Sequence, residues 1–409
     1  MNLVPIAIDA IHLGQALPCP ILDVSGVLLA NQGFVFRSRQ ELEMMVGSRK
    51  EIFIDADHSG NFRRAYVNQL NNLVLEDRAL GKIAEAQLSP YDTRPAEFEV
   101  SDEPDWLNLQ WQAHTMLRDT RGETFLPRLY RLQTELENLT LRNPDGSLFA
   151  LIHLSGADIK HYSATHAMLV CVMCLLAARD VLHWPGVQIK ALCNAALTMN
   201  FGMTDLQDRL AVQMDPLTPD QVKRVDSHAA RTVDQLQQMG VEDALWLEAV
   251  LYHRAHVPGP LETRTPSKRL ARLIQRADLF GARLAPRASR AAGSPASAMQ
   301  ACYFDENQQI DEAGAALIKA VGIYSPGTYV RLVNGEVAVV VRRGLHGTMP
   351  KVAVLVNRQG MATGEPMVRD TSQAEYRIAS GVRHQDIKVN HSLERLLPLT
   401  KSSTTDRAF

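Results

Sequence analysis

Hydrophobic and polar positions change their period along the chain, and each change marks a different kind of structure. Up to about Asn72, short apolar runs alternate with turn residues. Ala16 to Leu22 and Val27 to Phe36 are predicted strands separated by Ser25-Gly26, with a further turn at Asn31-Gln32-Gly33. A short helix over Arg39 to Val46 and a strand over Glu51 to Ile54 complete this module. Trp106 to Arg118 and Thr124 to Leu141 then carry apolar residues every three or four positions with charges opposite, as amphipathic helices do. Asn143-Pro144-Asp145-Gly146 breaks the pattern before a helical block from about Ser147 to Val321. Inside that block Thr218-Pro219-Asp220-Gln221 sets a capping threonine, a proline at the first helical position and a glutamine at the capping-box position, so a helix starts there. After Tyr324-Ser325-Pro326-Gly327 the period shortens to alternation. Tyr329 to Leu332 and Glu336 to Val341 read as strands joined through Asn334-Gly335, and Lys351 to Val356 adds a third.

These periods predict an α+β multidomain chain. A small N-terminal α+β domain occupies 1–100, a helical connector 101–146, an all-α domain 147–323, a β-rich extension 324–400 and a polar, disordered tail 401–409. The N-terminal module reads as a docking or dimerisation unit without chemistry of its own, so a homodimer is an expected arrangement.

Composition narrows the partners. A formal charge of −2 leaves no global field favouring nucleic acid or an anionic membrane, and no basic stripe with interleaved aromatics is present, so no nucleic-acid partner is expected. The most apolar run, Ala167 to Ala178, is too short to cross a bilayer and ends at Arg179-Asp180, which predicts a buried helix and no membrane span. Met1 to Pro5 lacks the basic segment and long apolar run of a signal peptide. The five cysteines, Cys19, Cys171, Cys174, Cys193 and Cys302, show no disulfide-framework spacing, and the Cys171/Cys174 pair sits in an apolar stretch as packed thiols. A cytoplasmic location follows as the expectation.

Four side chains stand out chemically. His166 follows Tyr162 by four residues and shares its helix face; His228 lies about three turns past the Thr218 cap. His253 ends the apolar helix Ala244 to Tyr252, and Asp278 sits in the apolar face of Leu270 to Phe280. A carboxylate among such neighbours needs a cation or hydrogen-bond donors. Metal coordination is one solution; pairing of Asp278 with Arg272, Arg276 or Arg283 is another, and each histidine taken singly is equally well read as a hydrogen-bonded core residue.

In combination these segments resemble the HD-GYP family of cyclic di-GMP phosphodiesterases, over roughly Thr124 to Asn357. His161-Tyr162-Ser163-Ala164-Thr165-His166 is similar to the family's opening motif, with His166 as its ligand; Leu217-Thr218-Pro219 and His228 follow in order. Leu251-Tyr252-His253-Arg254 resembles the double-histidine segment, and Ala277 to Ala282 with Arg287 and Arg290 resembles the segment of the last aspartate and two phosphate-facing basic residues. The resemblance implies an HD-type helical domain in which His166 and Asp278 would serve one metal, iron or manganese, and His228 and His253 its neighbour.

The departures are as specific. The family's histidine-aspartate pair is Met199-Asn200, the following lysine is Met203, the second of the paired histidines is Arg254, an acidic ligand of some members is Tyr162, and Val257-Pro258-Gly259-Pro260 replaces Gly-Tyr-Pro. An aspartate bridges two cations because both oxygens are anionic; Asn200 offers one neutral oxygen, and Met199 a soft thioether unsuited to such ions. Two protein ligands per metal seldom retain a divalent ion. The chain therefore reads as a degenerate member, catalytically impaired, acting as a nucleotide-sensing or protein-interaction module in cyclic di-GMP signalling. Arg287 and Arg290, three residues apart, would share a helix face and bind phosphate, although Pro286 argues against a helix there. The competing reading is a working phosphohydrolase using His166, His228, His253 and Asp278 around one residual ion.

Overall fold

The computed structural model describes residues 104–401 except 345–347, 388, 390 and 391, and, within the first 103, the stretches 3–7, 20–23, 28–30, 34–46 and 51–55 with four single positions, 11, 13, 14 and 17. The chain divides into two compact units, Met1–Asp102 and Glu103–Phe409. It is mostly helical, with two small antiparallel sheets.

In the first unit the strands β1 (Leu3–Ala7), β2 (Ile21–Leu22), β3 (Leu28–Ala30) and β4 (Glu51–Asp55) form a sheet in the order β1-β4-β2-β3, beside helix α1 (Arg39–Val46). Helix α1 and β4 fall where the period placed them. Strand β1 was not expected from the pattern, and β2 and β3 are shorter than the predicted runs, parts of which, with both predicted turns and Cys19, lie outside the described residues. Ser38 starts α1 by accepting the Glu41 backbone N–H, and Ile21, Phe36, Leu42 and Ile52 are buried together in a small core.

In the second unit α2 (Trp106–Met116) and α3 (Gly122–Arg142) precede α4 (Pro144–Ala157). The predicted break at Asn143 to Gly146 is the start of α4: Asn143 caps it by accepting the Gly146 N–H at 2.9 Å, and Pro144 is the first helical residue. Every residue of α5 (Tyr162–Leu176) is buried, and α2, α4, α6 (Gly186–Thr198) and α11 (Pro266–Leu284) pack around it. With its last turn, Tyr162–Val181 is 20 residues long and apolar enough by composition to cross a membrane, longer than the run counted from sequence, but 83% of its apolar window is buried inside the fold. It is the central helix of the core, and Cys171, Cys174 and Cys193 are buried, unpaired thiols in and beside it.

Helices α7 (Thr204–Val212), α8 (Pro219–Asp226), α9 (His228–Gln238), α10 (Ala244–Tyr252), α12 (Pro295–Tyr303) and α13 (Glu312–Val321) complete the helical part. The capping box at Thr218 and Gln221 forms as expected. Strands β5 (Tyr329–Leu332), β6 (Val337–Arg342), β7 (Lys351–Val356), β8 (Ala362–Asp370) and β9 (Ile378–Val382) form a sheet in the order β8-β7-β6-β5-β9. Gly335 makes the expected β5–β6 turn at φ +90°, a conformation open to glycine. Strands β8 and β9 escaped the periodicity because they are edges with largely exposed residues. One face of this sheet, with Val339, Val341, Ala353 and Leu355, joins the helical core, and the other buries Val330, Leu332, Ala338 and Val340. A short helix, α14 (Leu393–Leu396), follows; residues 402–409, the predicted tail, lie outside the described residues.

Candidate functional site

The first turn of α5 is held by Asp208 on α7, whose carboxylate accepts from Ser163 N at 2.7 Å and Ser163 Oγ at 3.0 Å and is itself paired with Arg118. That anchoring fixes the azimuth of His166 one turn later. His166 reaches Asp278, on α11 and 112 residues away, with Nε2–H donating to Oδ1 at 2.7 Å. Asp278 thus pairs with a histidine rather than an arginine. Arg272 and Arg276 turn to the other side of α11, where they meet Glu306 and Asp311. Burial alone would raise the Asp278 pKa, but the hydrogen bond and charge of His166 prevail and hold it at about 2, helped by His253 and Arg254. The other ring nitrogen of His166, Nδ1, is buried without a partner, close to Gly281.

His228 and His253 form a second pair. His228 does not lie within the helix capped by Thr218: α8 ends at Asp226, Ser227 breaks the path, and His228 is the first residue of α9. Its Nδ1–H donates to the Val225 carbonyl across that break. His253, just past α10, does the same to Val250 at 2.6 Å. With both Nδ1 protons committed to carbonyl oxygens, the two Nε2 atoms face each other at 3.2 Å. Both imidazoles are buried, which lowers their pKa, that of His253 to about 4 with a further contribution from His228. Two neutral rings so arranged present facing lone pairs. Such a contact is favourable only with a proton or a cation between them.

The positions that the resemblance matches to a metal clasp adjoin the start of α9. Met199 is buried at the end of α6, Asn200 is half-buried just beyond it, and Met203 is buried in the next turn. Thr232 Oγ1, one turn into α9, accepts the Gly202 N–H at 2.9 Å and so ties this turn to the helix that begins with His228. Neither Thr232 nor Asp208 was legible in the sequence, since neither belongs to a motif and each acts across thirty residues or more. Arg254 is exposed and follows His253 directly.

Arg287 and Arg290 do not share a helix face. Helix α11 ends at Leu284, and the two residues exchange backbone hydrogen bonds, Arg287 N to Arg290 O at 2.9 Å and Arg290 N to Arg287 O at 3.0 Å, in a tight turn after Pro286. Proline fixes its own φ and lacks a donor, so the helical spacing argument fails there. Arg287 instead leans on Tyr162.

The residues present fit a dinuclear cluster poorly. Among the described residues no three His, Cys, Asp or Glu side chains converge on one point. His166 Nε2 and Asp278 Oδ1 are committed to each other, and Asn200 has no anionic oxygen. The His228/His253 pair is better suited to a cation: nitrogens 3.2 Å apart can both lie about 2.1 Å from a single ion. It would need further ligands from solvent or a bound molecule.

Comparison with known proteins gives no matching family model. The chain is 24% identical over 269 residues to a cyclic di-GMP phosphodiesterase of Pseudomonas aeruginosa, a match spanning 64% of this chain and 64% of that protein's length. Among solved structures it is similar to an HD-GYP-type protein of Bdellovibrio bacteriovorus, with a TM-score of 0.42 and 14% identity, covering 78% of this chain and 99% of the other. The first of these likenesses bears out the resemblance to cyclic di-GMP phosphodiesterases drawn from the motifs.

Proposed function

We propose that this chain is a signalling protein of the cyclic di-GMP system whose phosphodiesterase-like domain is catalytically impaired and serves as a nucleotide-sensing or protein-interaction module. The observation that carries this reading is the division of the surviving ligands into two separate pairs, His166 with Asp278 and His228 with His253, with no three of them converging among the described residues. Phosphodiester hydrolysis at neutral pH draws on a metal-activated hydroxide and on charge stabilisation at the leaving oxygen. A centre whose carboxylate is already engaged, and whose clasp is a neutral amide and a thioether, lacks the anionic ligands that would hold such ions. Arg287 and Arg290 do not depend on metal and are the residues we assign to phosphate contact.

A reduced, mononuclear hydrolase is the second reading, and the facing Nε2 atoms of His228 and His253 favour it. Iron or manganese is the ion the family resemblance suggests for that pair. The two readings separate in one set of measurements on the purified full chain: metal content by elemental analysis, cyclic di-GMP affinity, and cyclic di-GMP turnover. Binding without turnover, at substoichiometric metal, supports the sensing module. Stoichiometric metal with turnover that disappears in His228→Ala overturns it.

A further inference from the structure

Tyr162 occupies a place where some members of the resembled family carry an acidic metal ligand, and its surroundings give it a different task. The ring is buried, stacked on His166 with centroids 5.4 Å apart and planes 11° from parallel. It also packs with Ala211, near the end of α7, and Ala285, just past α11. Arg287 lies over the same ring, with the guanidinium carbon 5.0 Å from the centroid, and its Nη2–H donates to the Tyr162 hydroxyl at 3.0 Å. A phenol is neutral at physiological pH. Arg287 is therefore oriented by a group that does not cancel its charge.

The whole basic turn shares that property. Among the described residues none of Arg283, Arg287 and Arg290 forms an ion pair with a carboxylate. Arg290 donates to the Ala282 carbonyl, and Arg287 Nε is buried with no acceptor. The turn itself is pinned from both sides, by Ala288 N to Ala211 O at 2.7 Å and by Gly293 N to Arg283 O at 2.8 Å. The guanidinium groups of Arg287 and Arg290 on this fixed turn, and of Arg283 at the end of α11, repel one another until an anion joins them. Phosphate matches their planar donor geometry.

We propose that Tyr162 is a positioning residue that holds Arg287 for a phosphate group of the ligand, so that this site binds a phosphodiester or pyrophosphate without any metal ion. The proposal rests on the nucleotide-sensing reading above and adds the metal independence and the residue that creates it. A carboxylate at this position would pair with Arg287 and close the site; the phenol leaves it open.

The test is titration of the full chain with cyclic di-GMP and, separately, with inorganic pyrophosphate, with and without EDTA, for wild type, Tyr162→Phe, Tyr162→Glu and Arg287→Ala. Phe keeps the ring stack and deletes one hydrogen bond, so affinity should fall about three- to tenfold while the melting temperature falls by no more than about 3 °C. Glu should abolish binding of both probes, as should Arg287→Ala, and the affinity of the wild type should fall with rising salt. Wild-type binding that Tyr162→Phe leaves unaltered, or that EDTA removes, overturns the role of Tyr162 while leaving the sensing module standing. A wild type that binds neither probe in either buffer overturns the sensing reading and this proposal together.

Discussion

Asp278→Asn tests the electrostatic core of the site, because it keeps the shape and the hydrogen-bond acceptor and removes only the charge. In the wild type the carboxylate faces His166 at 2.7 Å and titrates at about 2 instead of 3.8. A depression from 3.8 to about 2 corresponds to about 2.5 kcal/mol of folding stability, since each unit is worth about 1.4 kcal/mol. The side chain is 26% exposed, shielded enough for most of that to survive solvent screening. In a unit of this size the variant should melt roughly 4 °C lower near pH 6. The folded pKa lies below the unfolded one, so the contribution is complete above pH 3.8 and is lost as pH falls through 2. The gap between variant and wild type should accordingly be constant from pH 7 to 5 and close between pH 4 and 2. Differential scanning calorimetry in EDTA across that range reads it directly. Equal melting temperatures near pH 6, or a gap that persists unchanged to pH 2, would show that the His166–Asp278 pair does not hold the site.

The His253 imidazole, with its pKa lowered to about 4, should make wild-type stability fall as pH drops from 6.5 toward 4, because the unfolded chain takes up a proton that the folded one refuses; His253→Gln should flatten that limb in urea unfolding curves. Thr232→Val removes the acceptor for the Gly202 N–H and leaves a partly buried donor unpaired, at a cost of about 1–2 kcal/mol, and urea midpoints matching wild type would contradict this. Asn200→Asp restores an anionic oxygen at the position the resemblance assigns to the metal clasp; elemental analysis should show more metal per chain than in wild type, and an identical content would mean that this position does not face the surviving ligands.

Much of the helical unit was readable because its determinants are local. The capping box at Thr218 and Gln221, the period of Trp106 to Met116 and the Asn-Gly turn before β6 each depend on residues within a few positions, whose backbone preferences act before any tertiary contact. The identities of the site's side chains were readable for the same reason: His166, His228, His253 and Asp278 sit in motif segments, and the losses at Met199, Asn200 and Arg254 are visible in the letters alone. Where local rules were pressed too far they failed. Three-residue spacing suggested a shared helix face for Arg287 and Arg290, but α11 ends at Leu284 and Pro286 turns the chain. The strands β8 and β9 carry no alternating apolar run, since edge strands with exposed faces gain little from one.

Sequence alone determined which chemical groups exist and which were lost. Only the tertiary structure decided how those that remain are partnered. That His166 spends its Nε2 proton on Asp278, that His228 and His253 turn their bare nitrogens toward each other, and that a buried phenol steadies an unpaired Arg287 are outcomes of packing between helices far apart in the chain. The free energy of a buried polar group is set by whichever partner the fold brings within hydrogen-bond reach, and that distance is written in no single segment.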